Sequence, residues 1–278
     1  MADELDEAAV QSALSTRWLG RSYYYLPTVG STNDRLKEMV AVNRGQELPA
    51  GTVLLADYQS CGRGRLNRRW QAPAGTSLLL SVLFRPDWAA DRANWLTMAA
   101  GLAAIEAIVA ESGVLAGLKW PNDLMITVTG EWRKAGGLLL EGNLGASGGL
   151  ESAILGIGIN VNIRAQQLPE ATIPATSLLI AGDRPASRLA LLSTLLGRLE
   201  ARYEAADGGQ SPQETWSRRL VTLGQRVQVT NAVSEQVLSG VAENVDGRGH
   251  LLLRDESGQL HTITAGDVSL RPATGAFV

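Results

Sequence analysis

Arginine is the residue that this chain concentrates most sharply. Arg63, Arg65, Arg68 and Arg69 fall within Gly62-Arg63-Gly64-Arg65-Leu66-Asn67-Arg68-Arg69-Trp70, in a chain whose formal net charge is -3. A guanidinium is a planar fork that grips a carboxylate or phosphate through two parallel hydrogen bonds. Glycine between arginines lets the backbone take up positive φ and come close to a ligand. The stretch reads as a local anion cradle, although a solvated basic loop or a nucleic-acid patch would share its composition.

Three further stretches carry groups suited to anions. Lys119-Trp120-Pro121-Asn122-Asp123-Leu124 sets a cation, an amide and a carboxylate around a proline turn at a strand end, a common place for function; an ordinary turn reads the same way. Lys134-Ala135-Gly136-Gly137-Leu138-Leu139-Leu140-Glu141 sends a lysine into a core strand, where it could offset negative charge developing in a reaction. The plain alternative is a surface lysine at a strand start. Gly156-Ile157-Gly158-Ile159-Asn160-Val161-Asn162 lacks the third glycine of a dinucleotide fingerprint and opens no helix. Its glycines read as points of close packing or close ligand approach within a strand.

Scarcity narrows the chemistry. The two histidines, His250 and His261, lie late in the chain, and Cys61 is the one cysteine. A Ser-His-Asp or Cys-His site is excluded over most of the sequence, no Cys/His cluster has zinc spacing, and no intramolecular disulfide can form. Catalysis would have to run on Arg, Lys, Asp, Asn and backbone amides. The opening residues are acidic rather than basic-then-apolar, and no apolar run reads as long enough to span a bilayer. The expectation is a soluble cytoplasmic protein with no global attraction to DNA or an anionic membrane.

These groups need a scaffold. With 278 residues, 45% of them hydrophobic and 19% charged, the chain can build one sizeable core and a smaller appendage. Residues 1–20 predict a short amphipathic helix through Leu5, Ala8, Ala9, Ala13 and Leu14. A strand over 23–26 stops at Pro27, and Ser31-Thr32-Asn33-Asp34 opens a helix. Buried strands are predicted over 51–58 and 77–84, a core helix over 93–111, strands over 117–120, 124–128, 136–141 and 153–161, and an amphipathic helix over 189–203. After residue 222 the texture changes to short strands (226–229, 237–241, 250–253, 259–264) separated by turns such as Asp246-Gly247. The reading is an α+β protein: a mixed-sheet core over 1–222 and a small barrel over 223–278.

Taken in order, Ser31-Thr32-Asn33, GRGRxxRxW, KWPND, KAGGLLLEG and GIGINVN, followed by a small β module, resemble the biotin–protein ligase family over roughly residues 24 to 272. The match is to its members without an N-terminal DNA-binding domain, since about twenty residues precede the core. The resemblance implies an α/β core of the biotin–lipoate ligase (class II synthetase-like) fold and an SH3-like C-terminal barrel. It assigns Ser31, Thr32, Asn33, Gln59, Arg63, Gly64, Arg65 and Lys134 to biotin. It assigns Arg63, Arg65, Arg68, Trp70, Lys119, Asn122, Asp123, Lys134 and Asn160 to ATP or the adenylate. The catalytic set is Lys134, Arg65, Arg68 and Asp123. KAGGLL stands where KLAGIL is commoner, and no aromatic near Ser177 offers itself for stacking on adenine.

In that family biotin carboxylate attacks the α-phosphate of MgATP, and a lysine of a biotin carboxyl carrier protein then attacks the adenylate. A carboxylate is already nucleophilic, so the first step needs positive charge and positioning rather than a histidine base. ATP and Mg2+, carried by the nucleotide with no protein metal site, are implied with biotin as substrate. The partner is the carrier domain of a carboxylase, with no DNA and no membrane, and the oligomeric state is left open. A lipoate or octanoate ligase or transferase is the nearest rival. Cys61, inside the arginine loop, is the wrong context for a thioester. A biotin-binding regulator is a third reading.

Overall fold

The computed structural model describes residues 5–42, 47–66, 68–145, 148–169, 174–230 and 237–270. Its larger part is a mixed sheet of β1 (Tyr23–Val29), β2 (Val53–Gln59), β3 (Ser77–Phe84), β4 (Trp88–Ala89), β5 (Ala116–Lys119), β6 (Asp123–Val128), β7 (Glu131–Leu144) and β8 (Gly149–Asn160). The order is β1-β2-β3-β8-β7-β6-β5, with β4 added to β8. β1 and β2 run parallel, joined by helix α2 (Thr32–Val42), and the other pairs are antiparallel. A parallel pair needs such a crossover, whereas the antiparallel ones follow from short turns.

Every side chain of β3 is buried, as its run of leucines predicts for a strand covered on both faces. On one face Leu78, Leu80, Val82, Leu155 and Ile157 join one core with α3 (Asn94–Ser112) and α5 (Arg188–Asp207). On the other, Leu54, Leu83 and Ile154 meet Leu36 of α2. Each fully buried leucine contributes roughly 1.5–3 kcal/mol of transfer free energy. α3 is apolar almost all round and ends where Gly113 turns left-handed at φ 72°, a conformation in which a side chain is costly. With the turn before it, α3 is long and apolar enough by composition to cross a membrane (Ala90–Ser112), against the sequence expectation, but two-thirds of its apolar 18-residue window is buried. It is the core helix between sheet and α5.

Several boundaries differ from expectation. The N-terminal helix α1 is confined to Glu7–Ala13, capped by Asp6. The following residues stay irregular because the Glu200 carboxylate of α5 accepts the amides of Arg17, Trp18 and Leu19. β1 runs through Pro27, which is tolerated because β1 is an edge strand and Pro27 is skipped in its pairing. β7 begins five residues earlier than predicted, so Lys134 lies inside a strand. Short helices α4 (Leu178–Gly182) and α6 (Gln213–Ser217) carried no clear periodic signal.

The chain closes with an antiparallel sheet of β9 (Arg226–Thr230), β10 (Val237–Val245), β11 (Leu251–Asp255), β12 (Leu260–Ile263) and β13 (Asp267–Leu270), ordered β12-β11-β10-β9-β13. The last of these was missed in the sequence. This sheet docks on the core through a turn. The Trp120 indole donates to Gly249 O at 2.8 Å, Asn94 Nδ2 donates to Arg248 O at 3.0 Å, and Arg248 pairs with Asp91 at 3.1 Å.

Candidate active site

α2 covers part of its face of the sheet. The remainder carries glycine and polar side chains, and a cavity of about 500 Å3 opens there. Its floor is set by an irregularity. β6 and β7 pair Asp123 with Gly137 and Leu124 with Gly136, but Met125 with Lys134, leaving Ala135 as an extra residue. Along an unbroken strand Lys134 and Gly137 would face opposite sides, since side chains alternate. The bulge restores them to one face: a Cβ on Gly137 would lie 3.7 Å from Asp123 Oδ1 and 3.8 Å from Lys134 Cε. Lys134 Nζ donates to Asp123 Oδ1, and Lys119 Nζ lies 3.7 Å from Asp123 Oδ2. Lys119 is 2% exposed, a burial that an ammonium tolerates only with a partner. Backbone bonds from Lys134 N to Pro174 O (3.0 Å) and Thr176 N to Lys134 O (2.8 Å) fix the lysine's main chain from its other side.

One end of the cavity is neutral and hydrogen-bonding. Gln59 Oε1 accepts from Thr32 N at 2.8 Å and lies 3.1 Å from Thr32 Oγ1. Ser81 Oγ, buried, lies 2.6 Å from Asn33 Oδ1 and 2.7 Å from Thr32 Oγ1. Ser31 stands just before α2 and accepts a long 3.4 Å bond from Asp34 N. Gly156 is required here: a Cβ would come within 2.5 Å of Asn33 Oδ1. Asn33 Nδ2 donates to Glu141 Oε2 at 2.7 Å.

The arginine loop spans the mouth between β2 and β3. Gly64 N bonds to Arg68 O (2.7 Å) and Trp70 N to Gly62 O (2.9 Å). Neither glycine has positive φ; that conformation falls on Leu66, at 55°. Gly62 is needed instead for close approach, because its Cβ would meet Trp70 O at 2.5 Å. Arg63 Nη2 pairs with Glu141 Oε2 (2.7 Å) and Asp34 Oδ1 (2.6 Å), so its guanidinium faces α2 and β7. Burial works against both charges, but hydrogen bonds from Lys37, Asn33 and Arg63 outweigh it and hold Glu141 below the usual carboxylate range. Glu141 and Asp34 likewise raise Arg63 above its ordinary value. Arg65 reaches across to Asn122 Oδ1 (3.2 Å) and to Gly266 O (3.5 Å) of the C-terminal sheet. Arg68 and Arg69 are exposed at the rim.

At the other end, Asn160 Nδ2 donates to Thr176 O at 3.0 Å. Asn160 Oδ1, Thr176 Oγ1 and Trp70 Nε1 are buried with no hydrogen-bond partner among the described residues, and Asn160 and Trp70 line the cavity. The Trp70 ring lies over Gly158, whose Cβ would be 3.0 Å from it. The Trp70 ring is therefore the aromatic side chain that the arginine loop brings to this end of the cavity. Ser177 itself donates to Ile163 O and caps α4.

All the residues singled out in the sequence line this one cavity: Ser31, Thr32, Asn33, Gln59, Arg63, Gly64, Arg65, Arg68, Trp70, Lys119, Asn122, Asp123, Lys134 and Asn160. Sequence reasoning missed Ala175 and Pro169, which follow β8, and Gly266, which a fold alone brings in. Asp123 is the single carboxylate among the described lining residues, so the interior is strongly positive. Among the described residues no group of three or more His, Cys, Asp or Glu is placed to hold a metal ion.

Comparisons with known proteins agree with this geometry. Residues 25–160 match the biotin/lipoate A/B protein ligase family and residues 222–271 the biotin protein ligase C terminal domain. Along 271 residues the chain is 34% identical to the biotin–[acetyl-CoA-carboxylase] ligase of Mycobacterium tuberculosis, covering 95% of each. The chain belongs to the biotin protein ligase family. Another of its ligase relatives, the bifunctional ligase/repressor BirA of Bacillus spizizenii, is 30% identical over 96% of this chain and 79% of its own length. The biotin protein ligase from Aquifex aeolicus, solved in complex with biotin and ATP, superposes with a TM-score of 0.73 at 29% identity, over 91% of this chain and 100% of that one. The cavity, its cationic floor and the bulge that aims Lys134 therefore lie within a ligase fold.

Proposed function

We propose that this protein activates biotin with ATP to biotinyl-5′-adenylate and transfers the biotinyl group to a lysine of a biotin carboxyl carrier domain. One observation carries the reading. A single cavity has a neutral hydrogen-bonding end and an end with unpartnered buried polar atoms, joined by a cationic floor. Thr32, Asn33, Gln59 and Ser31 suit the ureido group, and Trp70 and Asn160 suit adenine. Lys134, Arg65, Arg68 and Lys119 suit the carboxylate and α-phosphate where they meet. Arg63 and Gly64 hold the loop over the biotin end, and Asn122 positions Arg65.

In the first step a biotin carboxylate oxygen forms a bond to the α-phosphorus, and pyrophosphate leaves with the electron pair. Two anions must approach each other, so fixed positive charge lowers the barrier. In the second step the acceptor amine bonds to the acyl carbon, the bond to phosphate oxygen breaks and AMP departs. Asp123 holds Lys134 and Lys119 and is the group placed to orient the amine or take its proton; unchanged transfer from preformed adenylate in Asp123→Ala would remove that role. Magnesium suits this site as an ion carried by the triphosphate: among the described lining residues the one carboxylate, Asp123, is engaged by two lysines.

The proposed division is a catalytic domain over 1–222 and a C-terminal SH3-like module over 223–278, in a cytoplasmic enzyme. Biotin transfer to a carrier domain with MgATP tests the reading, with Lys134→Ala and Arg65→Ala beside wild type. Incorporation by wild type and sharp loss in both variants is expected. Transfer of lipoate or octanoate instead of biotin would move the protein to the sister activity.

A further inference from the structure

A second cavity, of about 260 Å3, lies beside the first. β6 pairs with β7 only as far as Gly137, and the C-terminal sheet stands off from the stretch of β7 beyond it. Buried Met98, Trp120, Trp216 and Leu138 form its floor, and exposed Asn94, Thr264 and Ala265 form its rim. It is thus a cleft between core and C-terminal sheet, open at a polar rim and apolar below. It shares Arg65, Pro121, Asn122, Leu138 and Leu139 with the reaction cavity. The partition between the two is crossed by the Arg65 side chain, through the 3.2 Å contact to Asn122 and the 3.5 Å contact to Gly266.

We propose that this cleft admits the acceptor lysine of the carrier, guiding its side chain past Arg65 to the adenylate. The inference rests on the ligase reading above and adds the route of its second substrate. A lysine side chain is four methylenes ending in an amine, and such a chain buries its stem on apolar surface while its charged head stays in polar surroundings. The cleft presents that sequence of environments, apolar walls leading to the cavity that holds Asp123. In the partition Arg65 contacts Asn122 Oδ1 at 3.2 Å, and its contact to Gly266 O is a long one at 3.5 Å. When Arg65 turns toward the adenylate phosphate, both are released and the cleft joins the reaction cavity. Acceptor entry then follows adenylate formation, which keeps the amine away from ATP before the anhydride exists. No new bond chemistry is involved: the amine forms its bond to the acyl carbon and AMP leaves as described above.

The test fills the rim with Ala265→Val, Ala265→Leu and Ala265→Phe, and separately narrows the cleft with Thr97→Phe, at a half-buried α3 residue that also lines it, all in the 278-residue chain. Biotin-dependent ATP–pyrophosphate exchange reads the first step. Transfer to a carrier domain reads the second, and hydroxylamine trapping of bound adenylate reads attack by an amine with no side chain to thread. The expected result is exchange and hydroxylamine trapping within about twofold of wild type, with carrier transfer falling stepwise with side-chain volume to at least about tenfold in Ala265→Phe. Carrier transfer at the wild-type rate in all four variants would overturn the route, as would exchange falling by the same factor as transfer. Absence of biotin-dependent exchange in wild type would instead count against the ligase reading itself.

Discussion

Lys119, Asp123 and Lys134 hang from strands whose backbones are paired along β5, β6, β7 and β8, and Lys134 is bonded on its far side by Pro174 and Thr176. Arg63, Arg65 and Arg68 stand on an excursion held by internal amide bonds from Gly64 to Arg68, Arg68 to Arg65 and Trp70 to Gly62, and by side-chain reaches to Glu141, Asp34, Asn122 and Gly266. Cations of one cavity are therefore mounted in two ways. The floor cannot move without breaking a sheet, whereas the loop can move by exchanging one acceptor for another. The contrast suits a reaction whose intermediate is a water-sensitive anhydride: charge is preorganised below and closure is supplied from above.

The largest effect should come from the floor. Lys134→Ala is expected to lower biotin-dependent pyrophosphate exchange by roughly 10²–10³-fold, the scale of removing one positioned electrostatic group, with a smaller loss of biotin affinity. An equal loss of biotin affinity would make Lys134 a binding group only. Paired glycine variants sharpen the contrast in stability. Gly136→Ala drives a Cβ to 2.5 Å from Gly158 O and should cost about 1–3 kcal/mol in denaturant unfolding. Gly64→Ala, whose Cβ has 3.4 Å to its nearest neighbour, should stay within about 0.5 kcal/mol. Equal costs would mean that the loop is packed as firmly as the sheet. Limited proteolysis tests mobility directly: biotin with ATP should protect residues 60–70 from cleavage, and identical cutting with and without them would show that the loop does not close.

The smallest expected effect is on the Arg63–Glu141 pair. Glu141 titrates lower when folded, so its stabilising contribution is complete above the ordinary carboxylate range and fades as pH falls through its lowered folded value. Glu141→Gln should flatten that acid limb and change stability near neutrality by no more than about 1 kcal/mol, since the pair is screened by solvent. An acid limb of unchanged steepness would place the titration elsewhere.

The elements with strong periodicity were legible in the sequence: β3 has the predicted limits, and α3 and α5 differ only at their ends. The cavity residues were legible as a set only through the order of motifs that resembles the ligase family; residue types alone left the arginine loop and the Lys119–Leu124 turn open to plainer readings. Three things were not. A bulge leaves no mark in residue types, so the strand start and the aim of Lys134 escaped. The placement of the Trp70 ring depends on how the loop folds back over Gly158. Gly266 enters the cavity through the docking of a separate sheet, and no spacing along the chain encodes that.

The Glu200 carboxylate has a consequence for how the molecule comes into being. The amides of Arg17, Trp18 and Leu19 reach their acceptor across a sequence separation of more than 180 residues. Contacts of such range are slow to form, because the loop they close must be ordered first. During synthesis the first residues of the core would wait, unsatisfied, until α5 has emerged and folded. The segment before β1 is then among the last parts to lock, although it is made long before α5. A nascent chain halted before α5 should stay open to proteases there, while a finished one is sealed at the same spot by a single carboxylate.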